Sequence, residues 1–205
     1  MPLRSRRLLR LALAGLLASL TLAPSAGATV PRSAVTPATE ATQAILSYGD
    51  VPHGLEDSAG TAFRTPMAFL RAEHAANADP RLLTAYAKSG FRAAASRGLV
   101  VSKTQYWTSR AIVTRSPEAA AALADDLRHL YASDGYPTAP DVTSPHAFQV
   151  VTVSQGRPTS AIILATRGSI LIAVGDYATA GVEITSVDRM TRFLLRRATL
   201  SRPPG

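Results

Sequence analysis

Asp50, His53, Glu56 and Asp57 fall within eight residues of one another. Carboxylates beside an imidazole are the groups that hold a divalent cation or exchange protons with a substrate. The same stretch, SYGDVPHGLED, contains Pro52 and Gly54, and such a turn collects polar residues for conformational reasons alone. Its spacing matches no established cation signature. Asp50, His53 and Glu56 are therefore weak metal candidates, and no metal or cofactor is expected.

The other histidines are more isolated. His74 follows Glu73 on a helical stretch with no second histidine four residues away, so the zinc-protease pattern fails. His129 lies four residues after Asp125 near a helix end, where the helix dipole favours a cation. His146 opens a strand after Ser144-Pro145. No serine lies in a Gly-x-Ser-x-Gly or Ser-x-x-Lys context, and there is no cysteine, which removes the common nucleophile motifs. Hydrolysis would need a triad assembled from distant residues. Phosphate-cradling glycine loops are absent as well.

Two features suggest contact surfaces. Tyr106-Trp107 joins two large aromatics in a strand, where successive side chains point to opposite faces. One enters the core and the other offers its ring to a sugar or a partner; Trp107 is the candidate contact. Arg189, Arg192 and Arg196 form a stripe on the last helix, continued by Arg197 and Arg202, suited to an anionic envelope polymer, a lipid headgroup or a protein partner. The same stripe also reads as a solvated face, with Asp188 and Arg192 paired one turn apart.

The elements that carry these residues begin with an address. MPLRSRRLLRLALAGLLASLTLAPSAGA places Arg4, Arg6, Arg7 and Arg10 before an apolar run from Leu11 to Ala23, shorter than the roughly 20 residues a membrane-spanning helix needs. Ala26-Gly27-Ala28 supplies a small-x-small cleavage pattern, so residues 1–28 are expected to be a signal peptide. Ser5-Arg6-Arg7-Leu8-Leu9 approaches the twin-arginine signal, although an arginine-rich n-region favours general secretion. The expected product is secreted, with no membrane span and no lipid-modified cysteine. Cleavage removes four of the 22 basic residues and none of the 14 acidic ones, lowering the net charge from +8 to +4. That balance and export exclude nucleic acid as an expected partner.

Residues 29–42, rich in Thr, Pro, Ala and Ser, read as a flexible leader and 201–205 as a flexible tail. Residues 43–200 suffice for a single domain. Thr65-Pro66, Asp79-Pro80 and Ser116-Pro117 each read as a helix start, because the polar side chain caps free N–H groups and Pro at the first helical position lacks only an unpaired one. A further helix spans Val182 to Ala198. Strands fall between Phe91 and Thr114, with the turn at either Gly98 or Lys103-Thr104-Gln105, and in HAFQVVTVS, TSAIILAT and SILIAVGDY. The expected class is α+β, a mainly antiparallel sheet of about five strands with about four helices. Ala161–Ala165 and Ile170–Val174 lack polar alternation, so both faces of these strands need cover. The two Pro-started N-terminal helices suffice; a partner subunit or an apolar ligand are alternatives.

Ala44 to Leu55, AILSYGDVPHGL, resembles the Leu-Leu…Asp-Leu-Pro-x-Gly opening of small exported and lipoprotein-type actinobacterial proteins that have no assigned activity. The resemblance extends to Arg115-Ser116-Pro117-Glu118-Ala119-Ala120 and to the final hairpin with its Arg167-Gly168 turn and terminal helix. Val51 departs from the pattern, and the missing lipobox cysteine implies release rather than lipid anchorage. The resemblance implies export and fold, not activity. The expected function is a non-enzymatic exported protein that binds a partner or small ligand at the cell envelope, with an exported hydrolase as the alternative.

Overall fold

The computed structural model describes residues 35–51, 55–74, 79–141 and 143–200. The expected signal peptide, the first part of the leader, the tail and His53 lie outside them. In chain order the elements are α1 (Pro37–Gln43), β1 (Leu55–Phe63), α2 (Pro66–His74), α3 (Pro80–Lys88), β2 (Ala93–Ser102), β3 (Gln105–Val113), α4 (Pro117–Ser133), β4 (Thr138–Pro140), β5 (Phe148–Ser154), β6 (Arg157–Arg167), β7 (Ile170–Ala178) and α5 (Ile184–Leu200).

The Xaa-Pro steps act as helix starts for the reason expected. Thr65 Oγ1 accepts from Ala68 N at 3.2 Å, Asp79 Oδ1 from Arg81 N at 2.8 Å and Ser116 Oγ from Ala119 N at 3.2 Å. Thr36-Pro37 follows the same grammar, with Thr36 Oγ1 accepting from Thr39 N at 3.2 Å. Residues 37–42, read from composition as flexible leader, are thus helical. At the other end of α3, Gly90 takes the left-handed conformation at φ 65°, which glycine adopts without steric cost.

The described strands form one seven-stranded antiparallel sheet in the order β1, β2, β3, β7, β6, β5, β4. This corrects the expected count of about five strands and four helices to seven and five. The additions are elements with weak sequence signals. β1, LEDSAGTAF, has a single β-branched residue; β4 is three residues long; α1 lies in a segment whose composition resembles a linker. The turn between β2 and β3 is at Lys103-Thr104, and Gly98 lies within β2 opposite Thr108. An added Cβ at Gly98 would come within 1.8 Å of the Tyr106 hydroxyl, so the glycine is required by the tyrosine leaning across it.

Two apolar layers sandwich the sheet. On one face α1 and α5 pack over Ala111, Ile163, Ile172 and Val174 with Ile45, Leu46, Val187 and Leu194. On the other, α2, α3 and α4 bring Phe69, Leu70, Leu123 and Leu127 to Ile112, Phe148, Leu164 and Leu171. Adjacent residues such as Ile163 and Leu164 therefore enter opposite cores, which is why β6 and β7 show no polar alternation. No described helix is long and apolar enough to cross a membrane.

Candidate ligand-binding site

Alternation along β3 sends Trp107, Ala111 and Val113 to the α1–α5 core and Ile112 to the α2–α4 core, with Arg110 on the latter side. Arg110 is the only charge in QYWTSRAIV. In α2, Phe69 and Glu73 are one turn apart, so a helix that buries Phe69 against the sheet carries Glu73 to it as well. Arg110 Nε donates to Glu73 Oε2, and the two side chains are 23% and 11% exposed.

The pair lies in the wall of a cavity of about 260 Å³ between the sheet and α2, α3 and α4. Phe69, Leu82, Ile112, Leu127, Leu164 and Ala173 supply apolar walls; Tyr86 and Tyr131 border it with the ion pair. Asp79, Asp134 and the exposed Tyr136 belong to its rim. There Arg81 clasps the start of α3 to the end of α4, with Nη2 2.7 Å from Asp79 Oδ2 and Nη1 2.9 Å from Asp134 Oδ1. Burial disfavours the charged form of Arg110, but the Glu73 carboxylate, helped by the neighbouring phenols of Tyr177, Tyr131 and Tyr86, outweighs it and the guanidinium pKa is raised. Burial also pushes the phenols of Tyr86 and Tyr131 up. Arg110 thus stays charged and both tyrosines keep their protons near neutral pH. These three groups can therefore donate hydrogen bonds to a molecule held in the cavity without changing their protonation near neutral pH.

The residues singled out from sequence lie elsewhere. Trp107 is 6% exposed and packs in the α1–α5 core, so it offers no ring to a ligand. Tyr106 is the half-buried neighbour on the opposite face, 6.5 Å between ring centroids from Tyr177. Arg189 and Arg196 are exposed, while Arg192 Nε is held 3.0 Å from Asp188 Oδ1. Arg167 joins Arg192, Arg196, Leu195 and Thr143 around a shallow depression of about 200 Å³. Arg197 instead turns inward to the carbonyls of Gln43 and Ile45 and to Asp50 Oδ2, the last at 2.8 Å.

Asp50 is consequently a structural residue. Its Oδ2 also accepts from Ser47 N at 2.6 Å. Partial burial would raise its pKa, but the bonds from Ser47 and Arg197 carry it below the usual carboxylate range. Glu56 is in β1, with its side chain outside what is described, as is that of His74. Among the described residues no three His, Cys, Asp or Glu side chains gather. The two described histidine side chains, His129 and His146, are exposed; His146 Nδ1 is 3.7 Å from Asp125 Oδ2, and neither hydrogen-bonds a serine. The triad that the alternative hydrolase reading needs is therefore not formed around these two histidines.

No family model and no curated protein matches the chain. Its fold is similar to that of the extracellular domain of PknH from Mycobacterium tuberculosis, with a TM-score of 0.53 at 9% sequence identity over 80% of this chain and 97% of that one. At that identity the likeness is one of fold. The polar groups of the cavity, Glu73, Tyr86, Arg110 and Tyr131, escaped sequence reasoning. One signal was present: a lone arginine in a strand that continues Ala-Ile-Val needs a counter-ion if it is buried.

Proposed function

We propose that this chain is an exported binding module that takes a small ligand into the cavity between the sheet and α2, α3 and α4. Export rests on the basic and apolar amino-terminal segment. The observation that carries the binding reading is the Arg110–Glu73 pair in the wall of an apolar, tyrosine-bordered cavity. A buried ion pair contributes little to stability compared with apolar residues of similar volume, so recognition accounts for it better than folding does. Apolar walls with a few placed polar groups are also the usual make-up of ligand pockets.

The test uses N-phenyl-1-naphthylamine, an uncharged dye that brightens in apolar surroundings. The wild type should bind it saturably at one site. Ala173→Leu, which adds volume to the cavity wall, should abolish binding while the protein remains folded by Trp107 fluorescence. Absence of saturable binding, or equal binding by the folded variant, overturns the reading.

A second reading concerns the depression formed by Arg167, Arg192 and Arg196, whose converging cations favour an anionic envelope polymer. Replacing Arg167 together with the stripe residues Arg189, Arg192 and Arg196 by Gln should then abolish a salt-sensitive association with isolated cell walls. Identical sedimentation of wild type and variant at every salt concentration would reduce the stripe to a solvated helix face.

A further inference from the structure

Resting on the cavity reading, we infer that the ligand is an uncharged amphiphile whose carbonyl-type acceptor meets the Nη groups of Arg110 while its apolar body fills the space between the sheet and the helices. The inference follows from which hydrogen-bonding groups the cavity leaves unspent. Arg110 uses Nε toward Glu73, and its Nη groups form no hydrogen bond with the described residues. The hydroxyls of Tyr86 and Tyr131, which border the same space, likewise form none with them. Since a guanidinium donates only, what meets the Nη groups must bring an acceptor.

Charge decides the kind of acceptor. The guanidinium is already balanced by Glu73, and at the rim two carboxylates, Asp79 and Asp134, share the one guanidinium of Arg81. A carboxylate ligand would pass this acidic rim and lie near Glu73, where the gain from Arg110 is largely cancelled. An ammonium ligand would confront Arg110 and leave its donors unmatched, at the cost of unpaired buried polar groups. An ester, amide or ketone oxygen satisfies the donors and leaves the charge balance unchanged. The apolar walls then set chain length: each added methylene should tighten binding about fourfold until the cavity is full.

The experiment is displacement of N-phenyl-1-naphthylamine from the folded protein by methyl decanoate, decanoate and decyltrimethylammonium, all below their micelle concentrations. The ester should displace the dye at concentrations at least about tenfold lower than either ion. The paired replacement Arg110→Met with Glu73→Leu should retain dye binding and lose the preference for the ester. Tyr131→Phe, which removes one donor and no charge, should weaken the ester by about threefold or more, and it covers the case in which the double variant does not fold. If the dye does not bind at all, the cavity reading itself fails. If the dye binds but decanoate or the ammonium competes as well as the ester, or if both variants keep the wild-type preference, the cavity stands and the uncharged headgroup is refuted.

Discussion

Glu73→Leu should destabilise the protein by about 3 kcal/mol, because it leaves the Arg110 guanidinium in an apolar wall without its carboxylate. Removing one member of a buried pair typically costs about 3–5 kcal/mol, and side-chain exposures of 23% for Arg110 and 11% for Glu73 put this pair at the lower end. For a domain of this size each kcal/mol lowers the unfolding temperature by about 2–4 °C, so a fall of roughly 6–12 °C is expected. Arg110→Met should cost a similar amount. The double variant should recover to within about 1 kcal/mol of wild type, since both charges are then gone and the space is refilled by apolar atoms. Urea unfolding followed by Trp107 fluorescence provides the assay: Trp107 is the single tryptophan, and it lies in the opposite core. It therefore reports global unfolding rather than events in the cavity. A double variant whose loss equals the sum of the two single losses would show that the charges are not coupled, and the account of the site would be wrong.

Two further outcomes follow from the cores. Asp176 is 2% exposed, accepts from Gln105 Nε2 at 3.2 and 3.0 Å, and has no cationic partner among the described residues; burial raises its pKa. The folded state then favours the protonated acid, a contribution fully present below the unfolded carboxyl pKa of about 3.9 and lost as pH rises through the folded value. Asp176→Asn should thus raise the unfolding temperature at pH 7, with the gain shrinking toward pH 4; a gain independent of pH would contradict the assignment. Ile172→Asp should abolish folding, because this fully buried side chain lies in a strand covered on both faces and an unpaired carboxylate there costs several kcal/mol. A soluble variant with cooperative unfolding would show that β7 is not central.

Local chemistry made much of the secondary structure legible. Polar-Pro steps at Thr65, Asp79 and Ser116 announced α2, α3 and α4, and the unalternating runs of β6 and β7 announced a sheet buried on both faces. Thr36-Pro37 carried the same signal but was obscured by the composition of its surroundings. β1 was obscured because its residues favour no particular state, and its place at the sheet edge is fixed by pairing with β2. The cavity could not be read because its walls come from elements far apart in sequence: Glu73 and Arg110 meet only when α2 closes over β3. Trp107 was misassigned for a narrower reason, since alternation separates it from Tyr106 without saying which of the two faces is covered at that height of the sheet.

The strand order also has a temporal consequence. β1, β2 and β3 make one half of the sheet and β4 to β7 the other, and among the described strands the only ladder joining the halves is β3 with β7, from Gln105 opposite Ala178 to Val113 opposite Ile170. Within each half the strands close over short turns, except β1 and β2, which are joined through α2 and α3; the seam closes the longer separation, from Val113 to Ile170 across α4, β4, β5 and β6, and is expected to be the slow step of assembly. Arg110 is on one side of the seam and Leu171 and Ala173 on the other. The cavity therefore comes into being only when the two halves dock, and a molecule held in it would act as a clasp across the last joint of the fold to form.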